Sequence, residues 1–281
     1  MKAERSMLIA FVLNGLFSVF ELIGGVVTGS VSIISDAIHD GGDALSIGVS
    51  YFLEKKSKQQ PDETYTYGYA RYSVIGGLMT LATLLIGSLV VLYNAVDRIM
   101  NPAEIDYTGM FFFAALGVCV NSCAVLLTGK KGSLNQKAVA LHLLEDVLGW
   151  VVVLIGALVM KLTNFTLLDP LMSIGVSVFV LVEAVKNMKE IMGLLLEKAP
   201  QNIYVAEIKQ HIEAVAGVVS AHHIHLWSMD GQTNYATVHV VTDEDPSAVK
   251  ANVRKQLLEC GIHHITVEME TGAEKCCEQQ V

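Results

Sequence analysis

The chain has 281 residues, of which 52% are hydrophobic and 17% charged, with a mean hydropathy of +0.48. A soluble domain carries about 25% charged residues, so the deficit excludes an ordinary soluble protein and points to a membrane. The formal net charge of -9 excludes a nucleic-acid partner, which would require a basic surface.

A helix needs about 20 predominantly apolar residues to cross a bilayer. Six runs are predicted to do so: Met7–Thr28, Val31–Leu53, Tyr72–Val96, Thr108–Thr128, Ala138–Met160, and one from Leu167 to beyond Val185. The first is longer than a signal core and lacks a small-residue cleavage site, so it is expected to be retained. The loops between runs are short, which predicts antiparallel neighbours. Gly24, Gly25, Gly76, Gly77, Gly117 and Gly156 allow helices to approach closely. Basic residues concentrate on one side: Lys2 and Arg5, then Lys55, Lys56, Lys58 and Arg71, then Lys130, Lys131 and Lys137. The opposite loops hold little beyond Arg98 and Lys161. This asymmetry predicts that both termini are cytoplasmic, which requires an even number of spans.

The pattern changes near Glu197, with Pro200 as punctuation. Asn202–Ala216 reads as an amphipathic helix, Val218–Ser228 and Asn234–Thr242 as strands, Pro246–Cys260 as a second helix, and Ile262–Met269 as a third strand. Asp230-Gly231 signals a hairpin. The expected organisation is a six-helix transmembrane domain over 1–199 and a cytoplasmic αββαβ domain, ferredoxin-like or metallochaperone-like, over 200–281. Cys119, Cys123, Cys260, Cys276 and Cys277 show no disulfide spacing, which suits a reducing compartment.

The chemistry lies in charges placed inside the spans, which are expensive there and default to function. The second span holds Asp36, His39, Asp40 and Asp43, and the fifth holds His142, Glu145 and Asp146. Neither holds Lys or Arg, so these carboxylates must be protonated or bind a cation. His39 and Asp43 are four residues apart on one helix face, and so are His142 and Asp146. Facing each other, the two pairs offer two imidazoles and two carboxylates, a set suited to tetrahedral zinc. Calcium and magnesium prefer oxygen alone. The competing reading is hydrogen bonding between helices, which two matched pairs make less economical than one polar residue would. Asp36, Asp40, Glu145, Asn14, Glu21 and Asn121 are as well explained by packing or by support of the ligands. Because ligands must be deprotonated to hold a metal, metal and protons compete at such a site.

At this point the residues resemble a family. The run from Gly29 to Asp43, with Ser35-Asp-Ala-Ile-His39 at its centre, is similar to the second helix of the cation diffusion facilitators. Leu141-His-Leu-Leu-Glu-Asp146 is similar to their fifth helix, Tyr65-Thr-Tyr-Gly-Tyr69 to the loop into the third, and His222-His-Ile-His-Leu-Trp-Ser228 to the first strand of their cytoplasmic domain. The likeness covers nearly the whole chain in order. It implies a six-span homodimer in a lipid bilayer that exchanges metal for protons by alternating access. His39, Asp43, His142 and Asp146 then form the transport site. A histidine at position 39 resembles the zinc-selective branch, with cadmium as second substrate. Some relatives place histidines in the loop before the third helix; Tyr65 and Tyr69 stand there, so that extra site is expected to be missing.

In the cytoplasmic domain the resemblance favours His222 and His239 as ligands, followed by His263 and Glu270; hydrogen-bonded strand residues are the alternative. Strict alternation would put His222 on one face with Ile224 and Leu226, and His223, His225 and Trp227 on the other. Trp227 reads as a packing anchor, and Cys276-Cys277 as an unbound tail. No cofactor is implied beyond zinc, as cargo and as an ion bound in this domain. The other function classes are a membrane zinc enzyme, for which His-Glu-x-x-His is missing, and a passive channel, which would want several weak sites along a pore. The short basic stretch from Gly129 to Lys137, without a His-rich loop, suggests a bacterial inner membrane.

Overall fold

The computed structural model describes residues 2–28, 31–101, 107–128, 133–163 and 167–272; within these, some helical side chains, including those of Asp36 and His39, are not described. Among the described residues, six long helices come first: α1 (Lys2–Thr28), α2 (Val31–Ser57), α3 (Arg71–Met100), α4 (Tyr107–Thr128), α5 (Leu134–Thr163) and α6 (Leu168–Leu195). Among the described residues, four contain stretches apolar and long enough to cross a membrane: Arg5–Gly24, Arg71–Met100, Leu134–Gly156 and Pro170–Leu195. Among the described residues of α4 the apolar stretch is Ala114–Leu127. Apolar residues such as Leu45, Phe52, Ile86 and Leu126 face outward, as expected where lipid replaces water.

The chain divides into two compact units, Met1–Ile191 and Met192–Val281. In the first, α1 packs on α2 and α4, α2 packs on α3, and α5 packs on α3 and α4. Met7 and Ala10 of α1, Ile47 of α2, Ala124 of α4 and Val139 and Leu143 of α5 share one core. Glycine sets the closest approach. A Cβ on Gly76 would lie 2.7 Å from Asn135 Nδ2, and one on Gly77 would lie 3.1 Å from the Asn135 backbone. The α3–α5 contact therefore brings Asn135 against bare backbone.

The second unit contains α7 (Val205–Glu213), β1 (Val218–Ser228), β2 (Asn234–Thr242), α8 (Pro246–Glu259) and β3 (His264–Glu270). This is the αββαβ order read from the sequence. α8 starts where Asp245 accepts a hydrogen bond from the Ser247 N–H, with Pro246 just inside the first turn. The hairpin loop after β1 is built on Asp230, whose Oδ1 accepts from the N–H groups of Gln232 and Thr233. β1 pairs antiparallel with β2, and β2 pairs parallel with β3. One sheet face packs Ala221, Leu226, Ala236, Val238, Val240, Ile265 and Val267 against Ile208, Ile212, Val249, Val253 and Leu257 of the helices.

The other face departs from strict alternation. His222 pairs with His239 and His225 with Thr237, so three steps on β1 match two on β2. An extra residue is therefore inserted at 223–224, a β-bulge. His223 has a left-handed φ of 47°. The bulge shifts the parity of everything after it: Leu226 faces the helices with Ala221, while His222, His225 and Trp227 share the outer face. This corrects the grouping of His222 with Leu226. Trp227 stacks on Tyr235 with ring centroids 5.6 Å apart, in keeping with a packing role.

Candidate metal centre

Asp43 on α2 and His142 and Asp146 on α5 bring their ligand atoms within 4.8 Å of one another. His142 Nε2 lies 3.5 Å from Asp43 Oδ1. Asp43 and His142 are buried, 6% and 2% exposed, and Asp146 is half-buried. The spacing explains the convergence: His142 and Asp146 stand one turn apart on the α5 face that meets α2. His39 lies one turn before Asp43 on α2, but its side chain is outside the described residues, as is that of Asp36. Glu145 accepts a hydrogen bond from Ser88 Oγ of α3 at 2.7 Å, which makes it a tie between helices. Asn14, Glu21 and Asn121 are all buried, and Asp40 is half-buried. Residues 31–53 and 138–160 contain no Lys or Arg. Two carboxylates and an imidazole thus converge in an apolar bundle with no Lys or Arg in either span, and such a set favours a cation.

A second polar cluster lies on the same two helices. Glu54, just past the apolar run of α2, is only 4% exposed. Its Oε2 accepts from Ser73 Oγ of α3 at 2.6 Å, from Ser133 Oγ at 2.9 Å and from Asn135 Nδ2 of α5 at 3.4 Å. Asn135 Nδ2 also donates to the Ser50 carbonyl at 2.9 Å. Hydropathy gives no sign of this residue, because a glutamate followed by three lysines and a serine reads as a solvated helix end.

In the loop before α3, Tyr65, Tyr69 and Tyr72 form an aromatic group with Lys56 Nζ 4.1 Å from the Tyr72 ring centre. Asp62 accepts hydrogen bonds from the Tyr69 hydroxyl and from the Tyr65 and Thr64 N–H groups. Those bonds hold the Asp62 carboxyl below its ordinary range, the Tyr69 hydroxyl contributing most. The same bond to the carboxylate pushes the Tyr69 phenol up to about 12.

In the C-terminal unit, His222 on β1, His239 on β2 and Glu270 at the end of β3 also place their ligand atoms within 4.8 Å of one another. Glu270 spans both rings, with Oε1 2.7 Å from His239 Nδ1 and Oε2 3.2 Å from His222 Nε2. The register brings them together: His222 is the direct partner of His239, and Glu270 is beside Val241, two residues along β2. His263 stands at the opposite end of β3, exposed, with its N–H donating to the Asn234 carbonyl. The structure does not bring it to the other three. Cys276 and Cys277 lie outside the described residues.

Comparison with known proteins agrees with this division. Residues 7–196 match the cation efflux transmembrane domain, and residues 200–272 match the cation efflux protein cytoplasmic domain. The metal cation efflux system protein CzcD of Cupriavidus metallidurans is 33% identical, covering 98% of this chain and 88% of its own length. The zinc transporter ZitB of Yersinia pestis is 33% identical over 95% of this chain and 88% of its own. The cadmium, cobalt and zinc/H(+)-K(+) antiporter of Bacillus subtilis is 29% identical over 96% and 90%. With both of its domains matched in order, the chain belongs to the cation diffusion facilitators, the family of multi-pass membrane proteins that export metal cations.

Proposed function

We propose that this chain exports zinc from the cytoplasm in exchange for protons by alternating access, with His39, Asp43, His142 and Asp146 holding the ion in transit. The observation that carries this reading is the buried meeting of Asp43, His142 and Asp146 between α2 and α5. Mixed imidazole and carboxylate ligands favour zinc over the hard cations, and cadmium is the second substrate. Relatives named for zinc, cadmium and cobalt support the same metal class. Each ligand must shed its proton to bind metal, so a site that opens alternately to two compartments exchanges the ion for protons. The protein works as a homodimer in a bacterial inner membrane with both termini in the cytoplasm. His222, His239 and Glu270 hold a further metal ion in its cytoplasmic domain.

The test is zinc movement in proteoliposomes under an imposed pH gradient, comparing the native chain with Asp146→Ala. Zinc flux that follows the gradient and disappears in the variant is the expected result. Flux indifferent to the gradient would replace exchange by a passive channel. Flux unchanged in Asp146→Ala would remove the site.

A further inference from the structure

We propose that His223 is the fourth ligand of a closed tetrahedral zinc site on the outer face of the C-terminal sheet, completing His222, His239 and Glu270. This rests on the reading above that those three residues hold a metal.

The bulge in β1 is the starting point. A left-handed backbone at a residue other than glycine is a strain that persists only where the surroundings impose it, and such positions gather at functional sites. Here the residue so placed is a histidine, with φ 47°. Its ring turns toward the two histidines of the triad instead of away from them, as a regular strand would require. The centroids of His222, His223 and His239 form a nearly equilateral triangle. Its sides are 5.4 Å for His222–His223, 5.5 Å for His222–His239 and 5.2 Å for His223–His239.

Zinc geometry gives that triangle a meaning. With Zn–N about 2.0–2.1 Å, a ring centre about 1.1 Å further out and tetrahedral angles, two imidazoles on one zinc lie about 5.2 Å apart, centre to centre. A single ring pair at this distance is ordinary aromatic packing. Three rings mutually at this distance, with the carboxylate of Glu270 reaching two of them, fit four ligands around one ion. His225 does not share the arrangement: it is exposed and its ring is 6.3 Å from that of His223. His223 is not among the three residues whose ligand atoms already converge. Rotation of its ring about the Cβ–Cγ bond changes which nitrogen points inward while moving the centre little.

Four protein ligands leave no open position, the mark of a structural rather than a catalytic zinc. The ion would fasten β1, β2 and the end of β3 across the face opposite the helices, and would stabilise the strained bulge.

The test uses the full chain in detergent, with Asp43→Ala and Asp146→Ala silencing the membrane cluster and Cys276→Ser and Cys277→Ser removing the thiols. Cobalt(II) is the spectroscopic probe, because four-coordinate cobalt absorbs visible light far more strongly than five- or six-coordinate cobalt. Zinc affinity is read by competition with a chromogenic chelator. His223→Asn is the informative variant, since asparagine accepts the left-handed backbone; His223→Gly, which removes the strain, is its partner. The expected result is an intense cobalt band in the background protein that both variants lose. Zinc binding should weaken by more than about 100-fold, beyond the 10–100-fold typical of groups that only support a ligand. An unchanged band and affinity in both variants, with loss in His222→Ala, would overturn the role of His223 and leave a three-residue site. No metal uptake by the background protein would instead remove the site itself.

Discussion

Glu54 offers the sharpest test of the membrane unit, because its contribution can be worked from the distances. Glu54→Ala removes the acceptor of two short hydrogen bonds, from Ser73 Oγ at 2.6 Å and Ser133 Oγ at 2.9 Å. Hydrogen bonds to a charged acceptor are worth about 1.5–3 kcal/mol each. The 3.4 Å approach of Asn135 Nδ2 adds little, since that group keeps its bond to the Ser50 carbonyl. Lys58, 3.7 Å from Oε1, is 40% exposed and returns to water at small cost. Allowing for the desolvation of Glu54 that the substitution relieves, the net loss should be about 3–4 kcal/mol. In a unit of this size that lowers the melting temperature by about 10 °C. Glu54→Gln keeps a neutral acceptor and should lose about half as much. Thermal unfolding in detergent measures both. A melting point for Glu54→Ala within about 2 °C of the native protein, under 1 kcal/mol, would refute the reasoning. The damage should also reach the metal centre. Glu54 follows Asp43 by eleven residues, and Asp146 follows Asn135 by the same interval, so each pair shares a helix face about 16 Å apart along the axis. On the proposed reading, Glu54→Ala should therefore weaken zinc binding at Asp43, though less than Asp146→Ala does.

Three further outcomes follow from other parts of the structure. Gly77→Ala should destabilise the bundle by about 1–3 kcal/mol through overpacking, because its new Cβ would meet Ile191 Cδ1 at 3.0 Å and Asn135 Cα at 3.1 Å. Gly149→Ala, where nothing lies within 4 Å, should be neutral or stabilising in the same thermal assay. In the loop before α3, Tyr69 should ionise near 12 in an alkaline titration followed by phenolate absorbance, and Asp62→Asn should return it towards 10. The sign is fixed by the bond: the lowered Asp62 favours the folded loop above the ordinary carboxylate range and loses that contribution as pH falls through its lowered value. The raised Tyr69 keeps its contribution until pH rises through about 12. A Tyr69 titration unmoved by Asp62→Asn would show that the pair is not formed.

The helices were legible in the sequence because a bilayer demands apolar length, and the αββαβ order because strand and helix periods differ. Their ends were not. α2 continues through Glu54-Lys-Lys-Ser57, and α5 begins four residues before its apolar run, with Asn135 and Gln136 buried. Hydropathy reads the solvent a residue prefers, whereas Glu54 and Asn135 are buried where they hydrogen-bond to groups on other helices. The pairing of His142 and Asp146 with Asp43 was legible because a charge inside a span is so costly that its position alone carries information. The β-bulge was not, because alternation assumes one residue per step. A sequence cannot show that three steps on β1 face two on β2, and that single insertion decides which histidines share a face.

On the proposed reading, the two clusters solve opposite problems with the same ligand chemistry. An ion that must leave on every cycle cannot be held by a site that is costly to break. Among the described residues, the membrane cluster offers one imidazole and two carboxylates, all proton acceptors, and proton binding is what releases a metal from them. The C-terminal face offers three imidazoles around a carboxylate, joined by strands whose register is already fixed by backbone hydrogen bonds. Removing an ion there means either straining the ladder or leaving the bulge without its clasp, and neither happens in the course of passage. Ligand number and the rigidity of what carries the ligands therefore separate transit from retention more strongly than the choice of ligand does. A bundle whose helices touch through glycines and a few polar ties can shift. A sheet pinned at three strands cannot shift without unpairing.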